Sequence, residues 1–395
     1  MDTKKMTTEQ WMAADAAHIA PTYGRFPLVA ASGKGVILTD EDGKEYIDFG
    51  SGIGVTAFGY CDDEWVKAVQ QQAALLQHTS NLYYTKPCIE LAGMLCERTG
   101  MSKVFFSNSG AEANECAIKV ARQYAEKKRG KEYSTILTLK ESFHGRTLTT
   151  LAATGQVHYH EQFQPLTPGF ACGDSEDIET VRRLVAEEKA AGILVECIQG
   201  EGGVNVMSRD FVRGVAEICA EQDVLLMIDE VQTGNGRTGK LYSYMHYDIE
   251  PDVVSTAKGL GGGLPIGATL MSDKCADVFS PGDHGSTFGG NPVVCAGAVS
   301  ILSRMDEDFL AGVARKGEII REYLSGKPGV KKITGLGMMV GIVTERAAGD
   351  IVKDCLEAGV LCLTAKDKLR LLPPLNISEE DLMRGLEIIA NMIRG

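Results

Sequence analysis

The sequence predicts an α/β protein. Its large domain is built on a mostly parallel central sheet with helices on both faces, and a smaller α+β domain is drawn from the N- and C-terminal segments. Three observations predict this. Between Val104 and Met271 short apolar runs alternate with amphipathic helical stretches, the pattern of strands joined by crossover helices. The residues with the most chemical potential fall just after those runs, where an open α/β sheet binds its ligands. After Asn291 the alternation stops and a helix-rich segment with short strands replaces it. The predicted boundaries are 1–60 for the N-terminal segment of the small domain, 61–291 for the large domain and 292–395 for the C-terminal part of the small domain.

The first fifty residues are turn-rich, with short strand-like pieces at Val36–Thr39 and Tyr46–Phe49 between glycines. From Glu64 to Gln77 the pattern turns helical, with Trp65, Val69, Ala73 and Leu76 on one face. Strands are then predicted at Val104–Phe106, Thr135–Leu139, Ile193–Ile198, Val224–Ile228, Val253–Thr256 and Ile266–Met271. Helices are predicted at Ala111–Ala125, Asp177–Ala190 and Arg209–Gln222. A single long helical stretch is expected from Pro292 to Leu324. Strand-like Lys332–Thr334 and Met338–Val343 follow, then a helix over Gly349–Ala358, strands at Val360–Leu363 and Lys368–Leu372, and a last helix from Glu379. Ser378 and Asp381 have the spacing of a capping box for that helix.

Composition narrows the function classes. The chain has 395 residues, 44% hydrophobic and 24% charged, enough for two packed domains. Lys and Arg number 40 against 53 Asp and Glu, a net charge of -13. With no long basic block, this disfavours a nucleic-acid surface or an anionic membrane as partner. Eleven dispersed cysteines include no Cys-x-x-Cys pair. They read as reduced thiols in a cytoplasmic protein. The N-terminus lacks the apolar core of a secretory signal, and no stretch approaches the roughly 18 apolar residues of a membrane helix.

The chemistry centres on Lys258, in STAKGLGGGLPIGA from Ser255, and on Asp229, in IDEVQTG from Ile228. A lysine and a carboxylate, each delivered by a buried strand, suit an enzyme holding pyridoxal phosphate as a Schiff base. The amine would bind the aldehyde and the aspartate would keep the ring nitrogen protonated. Taken alone, Ala-Lys-Gly reads as a surface lysine beside a glycine loop. SNSGAEAN, from Ser107, places Ser109, Gly110 and Ala111 at a helix N-terminus, a phosphate cradle or an ordinary serine cap. Phe143 and Arg146 follow a strand. One suits stacking on a flat ring and the other carboxylate binding, or they are a core aromatic and a solvated cation. Glu196 and Glu201 bracket a short turn; with no histidine cluster nearby they indicate no metal site, and among turn glycines rather than on matched strands they do not indicate glycoside chemistry. His158 and His160 read as surface residues. Gly234, Gly236 and Gly239 match G-x-G-x-x-G, but the aromatic-rich segment after them carries no helical stripe, so the dinucleotide reading is discarded. Ser286 and Thr287 open a loop before a helix, as donors to an anion or as a plain cap region.

Taken together, SNSGAEAN, FHGRT, IQGEGG, DEVQTGNGRTG, AKGLGGGLPIGA and STFGGNP stand in the order and spacing of the class III pyridoxal-phosphate aminotransferases, which this chain resembles. YIDFGSGI, HTSNLYYTKP, GKLYSYMHY and LPPLNIS extend the likeness from about Phe26 to the last helix. Within the class the likeness is greatest to members acting on acetylornithine. The resemblance implies the fold-type-I architecture of pyridoxal-phosphate-dependent transferases and a homodimer with active sites at the subunit interface. It implies that Lys258 is the Schiff-base lysine and proton carrier, that Asp229 pairs with the ring nitrogen, and that Gln232 reaches the ring hydroxyl. Glu230 and Val231 fall in the same cofactor-binding run. It further implies that Phe143 stacks on the ring and that Ser109, Gly110 and Ala111 bind the phosphate, with Thr287 added from the neighbouring subunit. Arg146 and the neighbouring subunit's Ser286 would bind acetylornithine. Arg370 would take the α-carboxylate of 2-oxoglutarate or glutamate, and Glu201 would neutralise Arg370 when the amine donor reacts at its distal end.

Three positions depart from the family pattern. Gly-Tyr-Cys-Asp-Asp-Glu-Trp from Gly59 replaces Gly-His-x-His-Pro. Cys197 replaces a proline, which is expected to loosen that strand end. Ile53 stands where ornithine aminotransferases carry a tyrosine, which favours an acylated substrate. The implied reaction moves the δ-amino group between N2-acetylornithine and 2-oxoglutarate, a step of arginine biosynthesis. The alternatives are the same chemistry on succinylornithine, 4-aminobutyrate or a carrier-linked lysine. A mutase or decarboxylase on this fold is disfavoured by Arg370, and a non-enzymatic regulator by the retained lysine, aspartate and arginines.

Overall fold

The computed structural model describes residues 6–395. After a helix at Thr8–His18, β1 (Ala30–Lys34), β2 (Ile37–Asp40) and β3 (Glu45–Asp48) form an antiparallel meander. The large sheet is built next, from β4 (Lys103–Ser107), β5 (Thr135–Leu139), β6 (Phe170–Gly173) and β7 (Ala190–Val195). A short hairpin, β8 (Ile198–Gln199) with β9 (Asn205–Val206), intervenes before β10 (Leu225–Asp229), β11 (Val253–Thr256) and β12 (Gly267–Met271). The order across this sheet is β4-β12-β11-β10-β7-β5-β6. Only β12 runs against its neighbours; the other adjacent pairs are parallel. β7 and β10 are buried along their whole length, as continuous apolar strands must be when helices cover both faces.

The crossover helices follow from local signals. The helix Gly110–Arg129 is capped by Ser109, whose hydroxyl accepts the Glu112 N–H at 3.1 Å, and Lys127, Lys128 and Arg129 sit where its dipole favours cations. Its inner face buries Ile118 and Val120, each contributing about 1.5–3 kcal/mol relative to exposure. The register then brings the chemistry together. Asp229 lies opposite Ser255 on adjacent strands, three residues before Lys258, and Ser107 lies opposite Gly267. Asp229, Lys258 and the Ser109 turn therefore share one edge of the sheet.

The C-terminal segment corrects two expectations. Pro292–Leu302 and Glu307–Leu324 are separate helices, because Asp306 caps the second by accepting the Phe309 N–H at 2.8 Å. Ser378 accepts the Asp381 N–H at 3.0 Å, but its hydroxyl also donates to the Asp381 carboxylate, so the reciprocal bond of a capping box is not made. Five strands and two helices complete the chain: β13 (Val330–Leu336), β14 (Met339–Thr344), the helix Ala348–Glu357, β15 (Val360–Leu361), β16 (Leu363–Ala365), β17 (Lys368–Leu371) and the helix Glu379–Arg394. β15 joins β3 in parallel, so the two ends of the chain share a sheet, while the others form the antiparallel sheet β13-β14-β17-β16. The Gly234–Gly239 segment opens no helix. Its Arg237 is buried and donates to the carbonyls of Met338 and Pro373, which ties the large sheet to the C-terminal segment. Among the described residues, no helix is long and apolar enough to cross a membrane, and no His, Cys, Asp and Glu group is arranged for a metal ion.

Candidate active site

Lys258 leaves β11 after Ala257 and opens a short 3-10 turn, Lys258–Leu260. It lines a cavity of about 600 Å3. Ser109, Gly110 and Ala111 form one wall of that cavity, Phe143 to Arg146 another, and Gly263 to Ile266 a third; Asp229, Val231 and Gln232 line it together with Lys258. Burial pushes the Lys258 ammonium below its ordinary pKa. The carboxylates of Glu201, Asp229 and Glu196 resist that shift, while Arg370 adds to it.

Asp229 is held from three sides. One carboxylate oxygen accepts Asn114 Nδ2 at 2.7 Å and lies 2.8 Å from His144 Nδ1; the other accepts the Val231 N–H at 2.9 Å. Asn114 is itself fixed, donating to the His144 carbonyl and accepting the Ser255 hydroxyl at 2.5 Å. The carboxylate cannot swing away, and it remains on the cavity wall.

A second polar cluster stands beside Lys258. Arg370, on β17 and 3% exposed in its side chain, donates to Glu201 at 2.6 Å and to the Gln232 side-chain oxygen Oε1 at 3.1 Å. The Gln232 amide donates to Glu201 at 3.1 Å. Burial draws the Glu201 carboxyl upward, but the charge and hydrogen bond of Arg370, with Lys258 and Gln232, outweigh it and hold the group below its usual range. Gly200 leaves the space for Gln232: a β-carbon there would lie 2.2 Å from the Gln232 side-chain oxygen.

The Gly110 and Ala111 N–H groups belong to the first helical turn and precede the helix's own hydrogen-bond ladder, so they remain free for an anion. Gly110 is required by close packing, because a β-carbon there would sit 2.5 Å and 2.8 Å from the two methyls of Val231. Gly110→Ala is expected to cost about 1–3 kcal/mol, read as a lower thermal midpoint of the cofactor-free protein. A midpoint equal to that of the wild type would refute the close packing against Val231. Ser286 and Thr287 lie at a second cavity that shares Asn108 with the first, and Asn108 Nδ2 donates to the Ser286 hydroxyl at 3.1 Å.

Several residues stand differently from their sequence readings. The Glu230 carboxylate does not line the cavity. It is fully buried and accepts from Thr233, Ser243 and the Tyr244 N–H. Ile53 lines a separate apolar cleft with Phe26 and Leu363, and it is Val55 that faces the Lys258 cavity. Cys197 is fully buried and its carbonyl accepts from the Met207 N–H and from the Tyr247 hydroxyl. Arg146 is exposed at the mouth, 4.4 Å over the Tyr159 ring and 5.6 Å over Phe143. Sequence reasoning missed Asn114, His144 and the positioning role of Glu196. Asn114 and His144 were both inside the motifs SNSGAEAN and FHGRT. Glu196 accepts the N–H groups of Phe143 and Gly200, and burial, reinforced by Asp229, pushes its carboxyl well up.

These groups fit pyridoxal phosphate. The free N–H pair suits a phosphate, the fixed carboxylate of Asp229 a protonated ring nitrogen, Phe143 a flat ring and Lys258 an aldehyde.

Comparisons with known proteins bear on the same residues. A family model described as Aminotransferase class-III matches residues 18–393. The acetylornithine aminotransferase of Haemophilus ducreyi is 48% identical over 390 residues, covering 98% of this chain and 99% of that protein. That of Aquifex aeolicus is 46% identical over 378 residues, covering 95% and 100%. Among solved structures, the ornithine aminotransferase from Toxoplasma gondii superposes with a TM-score of 0.94 at 32% identity, over 99% of this chain and 96% of the other. The acetylornithine aminotransferase from Elizabethkingia anophelis gives 0.87 at 32% identity, over 98% and 99%.

Proposed function

The chain belongs to the class-III aminotransferases, which are pyridoxal-phosphate-dependent transaminases, and on that premise we propose that it moves the δ-amino group between N2-acetyl-L-ornithine and 2-oxoglutarate. The products are N-acetyl-L-glutamate 5-semialdehyde and L-glutamate, and in arginine biosynthesis the net direction is the reverse. The observation that carries the reading is the Arg370–Glu201 pair beside Lys258. Such a site must accept an ω-amine in one half-reaction and an α-amino acid in the other, and a paired arginine can be covered or uncovered to suit each.

Pyridoxal phosphate, when bound, supplies an aldehyde for the amino group and an electron-withdrawing ring. The chain's own residues do the rest. Gly110 and Ala111, with Ser109, hold the phosphate through backbone N–H groups and a hydroxyl. Asp229, fixed by Asn114 and His144, holds the proton on the ring nitrogen. Lys258 in its neutral form would accept the proton from the substrate carbon that bears the amine and hold it on its amine for return. Its lowered pKa makes the neutral form available at lower pH than for a solvated lysine.

Arg370 binds the α-carboxylate of 2-oxoglutarate or glutamate in a bidentate grip. With the amine donor bound, Glu201 keeps Arg370 neutralised and the donor's distal end approaches Lys258. Arg146, exposed at the mouth, takes the donor's carboxylate. A homodimer in which Ser286 and Thr287 reach the neighbouring subunit's site is part of the same proposal, as are a cytoplasmic location and the division at 60/61 and 291/292. The sheet shared by β3 and β15 supports that division.

The test is a panel of amine donors with 2-oxoglutarate, reading glutamate formed. N2-acetylornithine should give the highest kcat/KM. A clear preference for free ornithine, succinylornithine or 4-aminobutyrate would replace the substrate, and absence of glutamate with every donor would refute the transaminase reading.

A further inference from the structure

Trp65 stands outside the cavity but touches the loop that forms one of its walls. Its indole N–H donates to the Gly261 carbonyl at 3.0 Å. That carbonyl also accepts the Leu264 N–H at 3.2 Å, and the Gly261 N–H donates to the Lys258 carbonyl at 3.1 Å. The indole is thus the outer end of a two-bond relay that finishes on the backbone of Lys258. Glycines make room for it: a β-carbon on Gly262 or on Gly297 would lie 2.9 Å from the indole nitrogen. Beyond the contact, Gly263 to Ile266 line the cavity.

The tryptophan is itself anchored. Asp62 caps the helix Asp63–Leu75 by accepting the Trp65 N–H at 3.0 Å. The same carboxylate takes two hydrogen bonds from the Arg304 guanidinium, at 2.7 Å and 3.1 Å. Asp62 and Arg304 are only 17% and 23% exposed in their side chains, so the bidentate pair is partly shielded from water. Asp62 and Trp65 both lie in the segment that departs from the family pattern.

The anchoring matters because Lys258 adopts a φ of 45°, in the left-handed region that residues with a β-carbon rarely occupy. Such a conformation persists only where its surroundings over-determine it. We infer that Trp65 is a positioning residue: through the Gly261 carbonyl it holds the turn that keeps the Lys258 amine aimed into the cavity. The inference rests on Lys258 being the reactive amine.

Trp65→Phe keeps an aromatic ring and deletes the N–H. In the holoenzyme it should leave KM for the amine donor within about twofold and lower kcat about three- to tenfold, the factor one hydrogen bond supplies. In the cofactor-free protein, the pH midpoint for acetylation of Lys258 Nζ, read by peptide mass spectrometry, should move toward that of an ordinary lysine. Val69→Ala trims the same helix without touching the Gly261 carbonyl and should leave both readings unchanged. Should Trp65→Phe fail to fold, Asp62→Asn weakens the same anchor one step out and is expected to move both readings in the same directions. Unchanged kcat and midpoint in the variant, or equal shifts in Val69→Ala, would overturn the positioning role. Lys258→Ala separates the two levels. An active Lys258→Ala protein overturns both the reactive lysine and this inference, whereas an inactive one beside an unaffected Trp65→Phe overturns the role of Trp65 alone.

Discussion

Lys258→Ala should lower transamination by about 10^3- to 10^4-fold, the upper range for loss of a positioned proton carrier, while leaving a folded protein. The expected cause is specific. Asp229, the Ser109 cradle and the Arg370–Glu201 pair rest on backbone and side-chain bonds that do not include the lysine amine. Cofactor and substrates should therefore still bind, and the loss should fall on kcat. Lys258→Arg is the companion variant; it keeps a long cation but cannot present a neutral amine, and should be as inactive. Stability should respond with a definite sign. The folded protein holds the Lys258 proton less tightly than the unfolded chain does, because burial lowers its pKa. Unfolding therefore takes up a proton between that lowered value and about 10.4, and wild-type stability rises with pH across that window. Below the unfolded pKa the lowered folded pKa is a cost to stability. Cofactor-free Lys258→Ala should melt no lower than wild type near pH 7, and its advantage should vanish at alkaline pH. A variant that melts well below wild type near pH 7 would mean that the lysine is held mainly for structure.

Much of this cavity's lining was legible in the sequence because the residues that face it lie in contiguous strings after strands. Lys258, Asp229, Ser109 and Phe143 fall in such strings, and the parallel sheet brings the strand ends to one edge. What could not be read was the layer behind them. The bond from Asn114 to Asp229 joins a helix to a strand 115 positions away, and no local pattern encodes that meeting. Glu230 shows the opposite case. It sits beside Asp229 in the chain, but alternation along an extended strand end sends neighbouring side chains to opposite faces, and Glu230 is turned into a cage of hydroxyls and N–H groups. The single helix read over Pro292–Leu324 failed because apolar periodicity continues across Ser303–Asp306, while the Asp306 cap restarts the helix. Trp65 lay in a segment recognised as unusual, yet its partner, Gly261, becomes visible only when the helix packs against the glycine loop.

Arg370→Met should separate the two half-reactions. Arg370 is buried, and its guanidinium reaches Glu201 and Gln232 in one cluster. Removing it takes away the cation proposed to receive the α-carboxylate of 2-oxoglutarate or glutamate. Deleting one member of a buried, hydrogen-bonded charge pair costs about 2–5 kcal/mol, so kcat/KM for 2-oxoglutarate should fall by about 30- to several thousand-fold. Single-turnover amine transfer from N2-acetylornithine should change by only a few-fold, because with that donor bound Arg370 is neutralised by Glu201 and makes no substrate contact. The variant should also melt earlier, since Glu201 is left in a desolvated place without the charge that holds its pKa down. Glu201→Gln added to Arg370→Met should recover part of that stability and none of the 2-oxoglutarate activity. Glu201→Gln alone should act in the other sense, leaving Arg370 permanently uncovered; glutamate would then compete as an amine donor and the preference for the distal amine would fall. Equal losses in both half-reactions for Arg370→Met would mean that the arginine supports the pocket as a whole, and the pair would no longer explain how one lysine serves two differently shaped donors.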